Sequence, residues 1–291
     1  MQRQDHAATT IVKYAVILLI SVVPAIPAHT AESPASIDVP AILKQSSDYR
    51  HRFREGELDV AATNVALLEQ ATATEAGNAD LWNALGQAYV FLGARATLPG
   101  GNRPDVVIAL RKGMPALNQA LAINPDHAEA LATRAGMRAL VGMQMNSPQL
   151  VTQAMADMNR AVELAPGSVA VRLTRAFGGP NMPEDLRNRV NEAADMDFLI
   201  DKAEGNRAGD FLTILRADLH FENGELESAR QLYQTVEGAG AASAAQLAKS
   251  RLALSAQGKE AMMKDIQAMR AVAGTRCVMC HGREVAASST Q

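Results

Sequence analysis

A helix pattern that recurs along the chain sets its fold. In Leu81-Trp82-Asn83-Ala84-Leu85-Gly86-Gln87-Ala88-Tyr89 a tryptophan is followed by Leu85 and Gly86 three and four places on, and by Tyr89 seven places on. Those spacings gather four positions, one of them a glycine, on one face of an α-helix. A second copy, Asn124-Pro125-Asp126-His127-Ala128-Glu129-Ala130-Leu131-Ala132-Thr133-Arg134-Ala135-Gly136, closes one unit at Pro125 and opens the next with Leu131, Arg134 and Ala135. The helix that must cover such a face also recurs. Phe53 to Ala61 and Phe221 to Ala229 each carry a glycine, Gly56 or Gly224, followed five residues later by a small alanine that lets a second helix pack closely. Tyr233 follows as the large residue filling that helix pair. Ala161 to Pro166 ends a second helix in the manner of Ala120 to Pro125, and Leu247 to Gln257, Gly258 and Lys259 to Ala273 form a last helix-turn-helix. The expected fold is all-α: an α-α superhelical solenoid of about six helical pairs over residues 36–273, each pair burying its face against its neighbours.

These units resemble the tetratricopeptide repeat (TPR), whose period is about 34 residues. The resemblance implies an inner groove that holds a protein partner. Composition agrees with helical packing: alanine and leucine dominate and aromatic residues make up only 4%. Three stretches break the period and are expected as lengthened junctions on one edge: Thr97 to Pro104, Asn146-Ser147-Pro148, and Gly178 to Pro183. Asp and Glu are spread along the helices, as on solvated faces.

The C-terminal segment carries the chemistry. Cys277-Val278-Met279-Cys280-His281 contains both cysteines of the chain. On one helical turn, positions i, i+3 and i+4 share a face, so two sulfurs and an imidazole can address one flat macrocycle. The same pair also reads as a vicinal disulfide, a thiol-exchange site or half a zinc site, none of which requires a histidine at the next position. A structural zinc site takes four ligands, and no second cysteine pair completes one. Thr275 to Gly282 resembles the haem-attachment site of cytochromes c. That likeness implies one covalent haem c, with Cys277 and Cys280 as thioether anchors and His281 as axial iron ligand. Ten residues follow His281, so the downstream methionine segment of the ordinary cytochrome c fold is not among them. In placement the motif is more like that of helical-bundle cytochromes c. Candidate sixth ligands are Met269 or Met262, which with Ile266 form a stripe at i, i+4 and i+7 that reads equally as core. His220, at a repeat position usually held by tyrosine, reads as a packed or solvent-linked histidine.

The N-terminus supplies a compartment. Arg3 and Lys13 precede an apolar run from Tyr14 to Val23, and Pro24 to Ala31 offers small residues for cleavage. This is the pattern of a secretory signal peptide, residues 1–31, cut after Ala28 or Ala31. The run is too short to span a bilayer of about 30 Å comfortably, so no stable membrane span is expected after cleavage. A periplasmic location follows, as c-type attachment requires. Formal net charge is −3, and taking away the net +1 of Arg3, Asp5 and Lys13 leaves −4, which disfavours nucleic acid as a partner. No Walker loop, nucleophile elbow or His-Glu-x-x-His helix is present, and no enzymatic activity is expected. Two functions fit: a periplasmic haem-bearing TPR scaffold docking a redox partner for electron transfer, or a non-haem TPR interaction module or cytochrome c assembly factor using the Cys277/Cys280 thiol pair.

Overall fold

The computed structural model describes residues 37–54, 56–97, 104–203 and 207–275. These residues form twelve α-helices in six sequential pairs. They are α1 (Val39–Arg54) with α2 (Val60–Thr74), α3 (Ala79–Thr97) with α4 (Pro104–Ile123), and α5 (Ala128–Gln144) with α6 (Pro148–Leu164). Then come α7 (Val169–Gly178) with α8 (Arg189–Lys202), α9 (Arg207–Glu222) with α10 (Leu226–Ala239), and α11 (Ala242–Gln257) with α12 (Lys259–Thr275). No strand occurs among the described residues.

The tryptophan-bearing pair shows why the pattern folds this way. Leu81 and Tyr89 are buried on the face that α3 turns to its neighbours. A Cβ on Gly86 would lie 2.5 Å from the Leu117 side chain of α4, and one on Gly93 would lie 2.9 Å from Ala109 Cβ. Glycine there lets the two helices approach closely, and Leu117, fully buried, contributes about 1.5–3 kcal/mol by leaving water. Trp82 staples the entry to α3, its indole Nε1 donating to the Ala76 carbonyl at 2.8 Å.

One capping position repeats down the array. Asn78 Oδ1 accepts from Leu81 N at 3.1 Å, His127 Nδ1 from Ala130 N at 3.3 Å, and Ser168 Oγ from Val171 N at 3.3 Å. Each satisfies an orphan amide at the start of a first helix. Gly56 and Gly224 hold left-handed φ angles of 101° and 82° at the turns between first and second helices, a conformation that favours glycine.

The first helices form the inner layer. α1 touches α3, α3 touches α5, α5 touches α7, and α9 touches α11, whereas no comparable contact joins one second helix to another. Between α7 and α9 the direct contact is weaker, although Ala176 of α7 shares a core with Leu212 and Leu215 of α9. There the chain makes two single-turn 3-10 helices, Gly179–Asn181 and Glu184–Leu186, so the Gly178 to Pro183 stretch does lengthen its junction.

Two sequence expectations need correction. The Asn146-Ser147-Pro148 junction is not lengthened. Asn146 takes φ 50°, Ser147 caps α6 through Leu150 N, and Pro148 is its first residue, so the turn is tight. The last helix does not stop before Gly274 but runs to Thr275, since one glycine within a helix costs only about 1 kcal/mol.

Candidate functional site

The expected signal-peptide segment 1–31, residues 98–103 and the motif residues Cys277, Cys280 and His281 lie outside the described residues. The candidate site within them is the inner face, and it is built differently in the two halves of the molecule.

In α3 the residues opposite the packed face form an inner stripe that includes Asn83 and Gln87. The Asn83 amide nitrogen stands 3.5 Å and the Gln87 amide nitrogen 3.3 Å from Glu129 Oε2, at the start of α5. Glu129 is exposed beside them. Asn83 is 5% exposed, and its Oδ1 accepts no hydrogen bond. A buried acceptor without a donor is costly.

His220 stands in α9 where Tyr89 stands in α3, so Ile214 and Asp218 take the places of Asn83 and Gln87, with Phe221 and Glu222 one turn further on. None of this stripe faces water. Ile214 and Asp218 are 0% and Phe221 is 4% exposed. Arg251 of α11, itself 0% exposed, donates from Nε to Asp218 Oδ1 at 2.9 Å and from Nη2 to Asp218 Oδ2 at 3.2 Å. Its Nη1 is hydrogen-bonded to Asp265 of α12. Met262 and Ile266 of α12 are fully buried in the same core as Ile214 and Phe221. Further along, Met269 packs against the core of Ala176, Met196 and Leu212, and α12 reaches the 3-10 turn Gly179–Asn181. The last helix therefore shares the core on the inner face of α9 and extends to the 3-10 turn that follows α7.

This placement describes the candidate sulfur ligands. Met262 is core, and the Met269 thioether lies 3.5 Å from Arg251 Nη2. His220 is largely buried, with Nδ1 hydrogen-bonded to Glu225. Among the described residues, no three His, Cys, Asp or Glu side chains gather as a metal-binding group, and no helix is long and apolar enough to cross a membrane.

Buried charge is the feature that sequence reasoning missed. The expectation that acidic residues lie on solvated faces fails at Asp195, Asp218 and Glu192, all at most 2% exposed. Arg175 donates to both carboxylate oxygens of Asp195, at 2.6 and 2.9 Å, and Arg172 adds a bond of 2.8 Å. One repeat earlier Arg134 grips Asp157 in the same way, at 2.9 and 2.8 Å, with Arg138 at 2.7 Å. Beside the 3-10 turns, Arg187 bonds Glu192 at 3.1 and 2.5 Å and Glu222 at 3.1 Å. Burial opposes the Arg187 charge, but the two carboxylates outweigh it and raise its pKa above the ordinary value. Tyr233 donates to Asp218 Oδ1 at 2.6 Å, and desolvation together with that carboxylate pushes its hydroxyl far above the usual phenol range. The available signal was Arg134, which stands where the α3 pattern has Leu85.

No protein-family model matches the chain, and no curated protein does. Among solved structures, one described as a tetratricopeptide repeat protein from Parabacteroides merdae is similar over 84% of this chain and 94% of its own, at 19% identity and a TM-score of 0.36. The TPR-like description rests on the helix pairing, the close approach at Gly86 and the repeated caps.

Proposed function

We propose that this protein is a periplasmic, haem-bearing TPR-like scaffold that docks a redox partner on its inner face and exchanges electrons with it. The observation that carries the reading is the Cys277-Val278-Met279-Cys280-His281 motif, which begins two residues beyond the end of α12 at Thr275. The donor set fits the group: two thiols at the spacing for thioether attachment and an imidazole adjacent to the second. Cys277 and Cys280 would hold haem c and His281 would ligate its iron, and the bound group supplies one-electron redox chemistry.

The rest of the reading concerns this chain's own residues. Met262 lies in the core and Met269 packs beside Arg251, so either sulfur would have to leave that packing to serve as a second ligand. The polar stripe of Asn83, Gln87 and Glu129 supplies donors and acceptors for a docked segment. The signal-like N-terminus provides the compartment in which attachment takes place.

The test is a reduced pyridine haemochrome spectrum with a haem stain on a denaturing gel. Wild type and a Cys277→Ser/Cys280→Ser variant are exported in a host with intact c-type maturation. Covalent haem in the wild type alone is the expected result. A folded, exported wild-type protein without haem overturns the reading in favour of the second one: a non-haem interaction module or assembly factor whose two thiols titrate as a reversible disulfide.

A further inference from the structure

The attachment of α12 to the rest of the molecule is unlike that of the other helices. One residue, Gly258, separates it from α11, at φ 122° and ψ 166°, a backbone that L side chains rarely adopt. α11 and α12 touch each other less than the helices of any other sequential pair. The hold of α12 on the body comes chiefly from Met262 and Ile266, from the half-buried Met269, and from Asp265 on Arg251. Two of those apolar contacts are methionines, unbranched and tolerant of repacking.

The charge beneath α12 is arranged so that the helix can leave. The two bonds of Arg251 to Asp218 of α9 involve no residue of α12. Departure of α12 therefore orphans no buried guanidinium, and Asp265, whose side chain is already 45% exposed, returns to water. What remains is an apolar strip formed by Ile214 and Phe221 beside a guanidinium whose Nη1 has lost its carboxylate partner.

We propose that α12 is a displaceable resident of the inner face of α9. The partner that displaces it is an amphipathic helix with apolar residues at i, i+4 and i+7 and a carboxylate at i+3, the pattern of Met262, Asp265, Ile266 and Met269. This inference rests on the inner face being a docking surface.

The experiment is hydrogen exchange on the full-length protein, together with binding of a fluorescent peptide of residues 259–275. Wild type is compared with Asp265→Arg, which sets a cation against Arg251. It is also compared with Ile266→Ala, which weakens the same contact without adding charge. In the wild type, α12 amides exchange at least about tenfold faster than those of α9 and α10. Both variants raise α12 exchange further, leave α9 unchanged, and bind the peptide at least about tenfold more tightly than wild type does. Exchange of α12 and α9 at one common rate in the wild type, or a joint rise in both variants, overturns the latch alone. Refusal of the peptide by variants whose α12 exchanges freely overturns the docking reading of this face as well. A concentration-dependent dimer that protects α12 would assign the strip to a second copy of the chain and overturn the proposal.

Discussion

The inner stripes of α3 and α9 occupy the same place in their repeats and solve opposite problems. The first carries Asn83, with an unsatisfied buried oxygen, and Gln87 beside an exposed Glu129. The second carries Ile214, Asp218 and Phe221, all buried beneath Arg251 and α12. A repeat scaffold must leave its binding surface incomplete somewhere, and here the incompleteness is polar in one half and covered in the other. The lesson is that a buried inner stripe in such an array identifies what lies on it.

The largest effect separating the two stripes is expected at Asp218. Asp218→Ala leaves Arg251 buried without its bidentate partner and should cost about 3–5 kcal/mol in denaturant unfolding. The double change Asp218→Leu/Arg251→Met should recover most of that loss, because no charge is then stranded. A double variant no more stable than the single one would mean that Arg251 is held by other groups.

Next is a contrast of cavities. Leu117→Ala, under Gly86, should cost about 2–5 kcal/mol, followed by fluorescence of Trp82, the single tryptophan. Met262→Ala should cost less, since its loss is capped by the free energy with which α12 docks. Equal losses would erase the distinction between the halves.

A smaller effect is expected in alkali. The folded pKa of Tyr233 is raised, first by desolvation and then by Asp218, and that of Tyr89 is raised by desolvation and Glu69. A raised folded pKa contributes stability that is fully present below the unfolded value of about 10 and is lost as pH rises through the folded value. Stability should therefore decline above about pH 10, and Tyr233→Phe should flatten the decline. A Tyr233→Phe profile that overlays the wild-type one would remove the buried phenol as its cause.

The smallest effect is expected at Asn83. Replacing it by leucine removes an unsatisfied acceptor, so the change should be neutral or stabilising by up to about 1 kcal/mol. Marked destabilisation would mean that Asn83 Oδ1 has a bound donor in solution.

The pairing of helices was legible in the sequence because it depends on short spacings. Trp82, Leu85, Gly86 and Tyr89 lie within about two turns of one helix, and Gly56 and Gly224 mark turns that only a left-handed residue closes well. The buried ion pairs were not legible. Arg251 and Asp218 lie 33 residues apart, and nothing local distinguishes that aspartate from one on a wet surface. The route of α12 was equally hidden, since Met262, Ile266 and Met269 make the same apolar stripe whether they face a paired helix or an inner groove.

Asn118 and Asn159 add one further joint. Asn118 of α4 accepts from Arg134 Nη1 at 3.3 Å, and Asn159 of α6 accepts from Arg175 Nη1 at 3.5 Å. Each arginine thus joins an aspartate on its own second helix to an asparagine on the second helix before it. The α5–α6 unit carries both ends of this joint, receiving through Arg134 and Asp157 and offering Asn159 to its successor. A duplicate of that unit inserted after α6 would find every arginine matched, so the array can grow by tandem duplication at that point with its polar register intact.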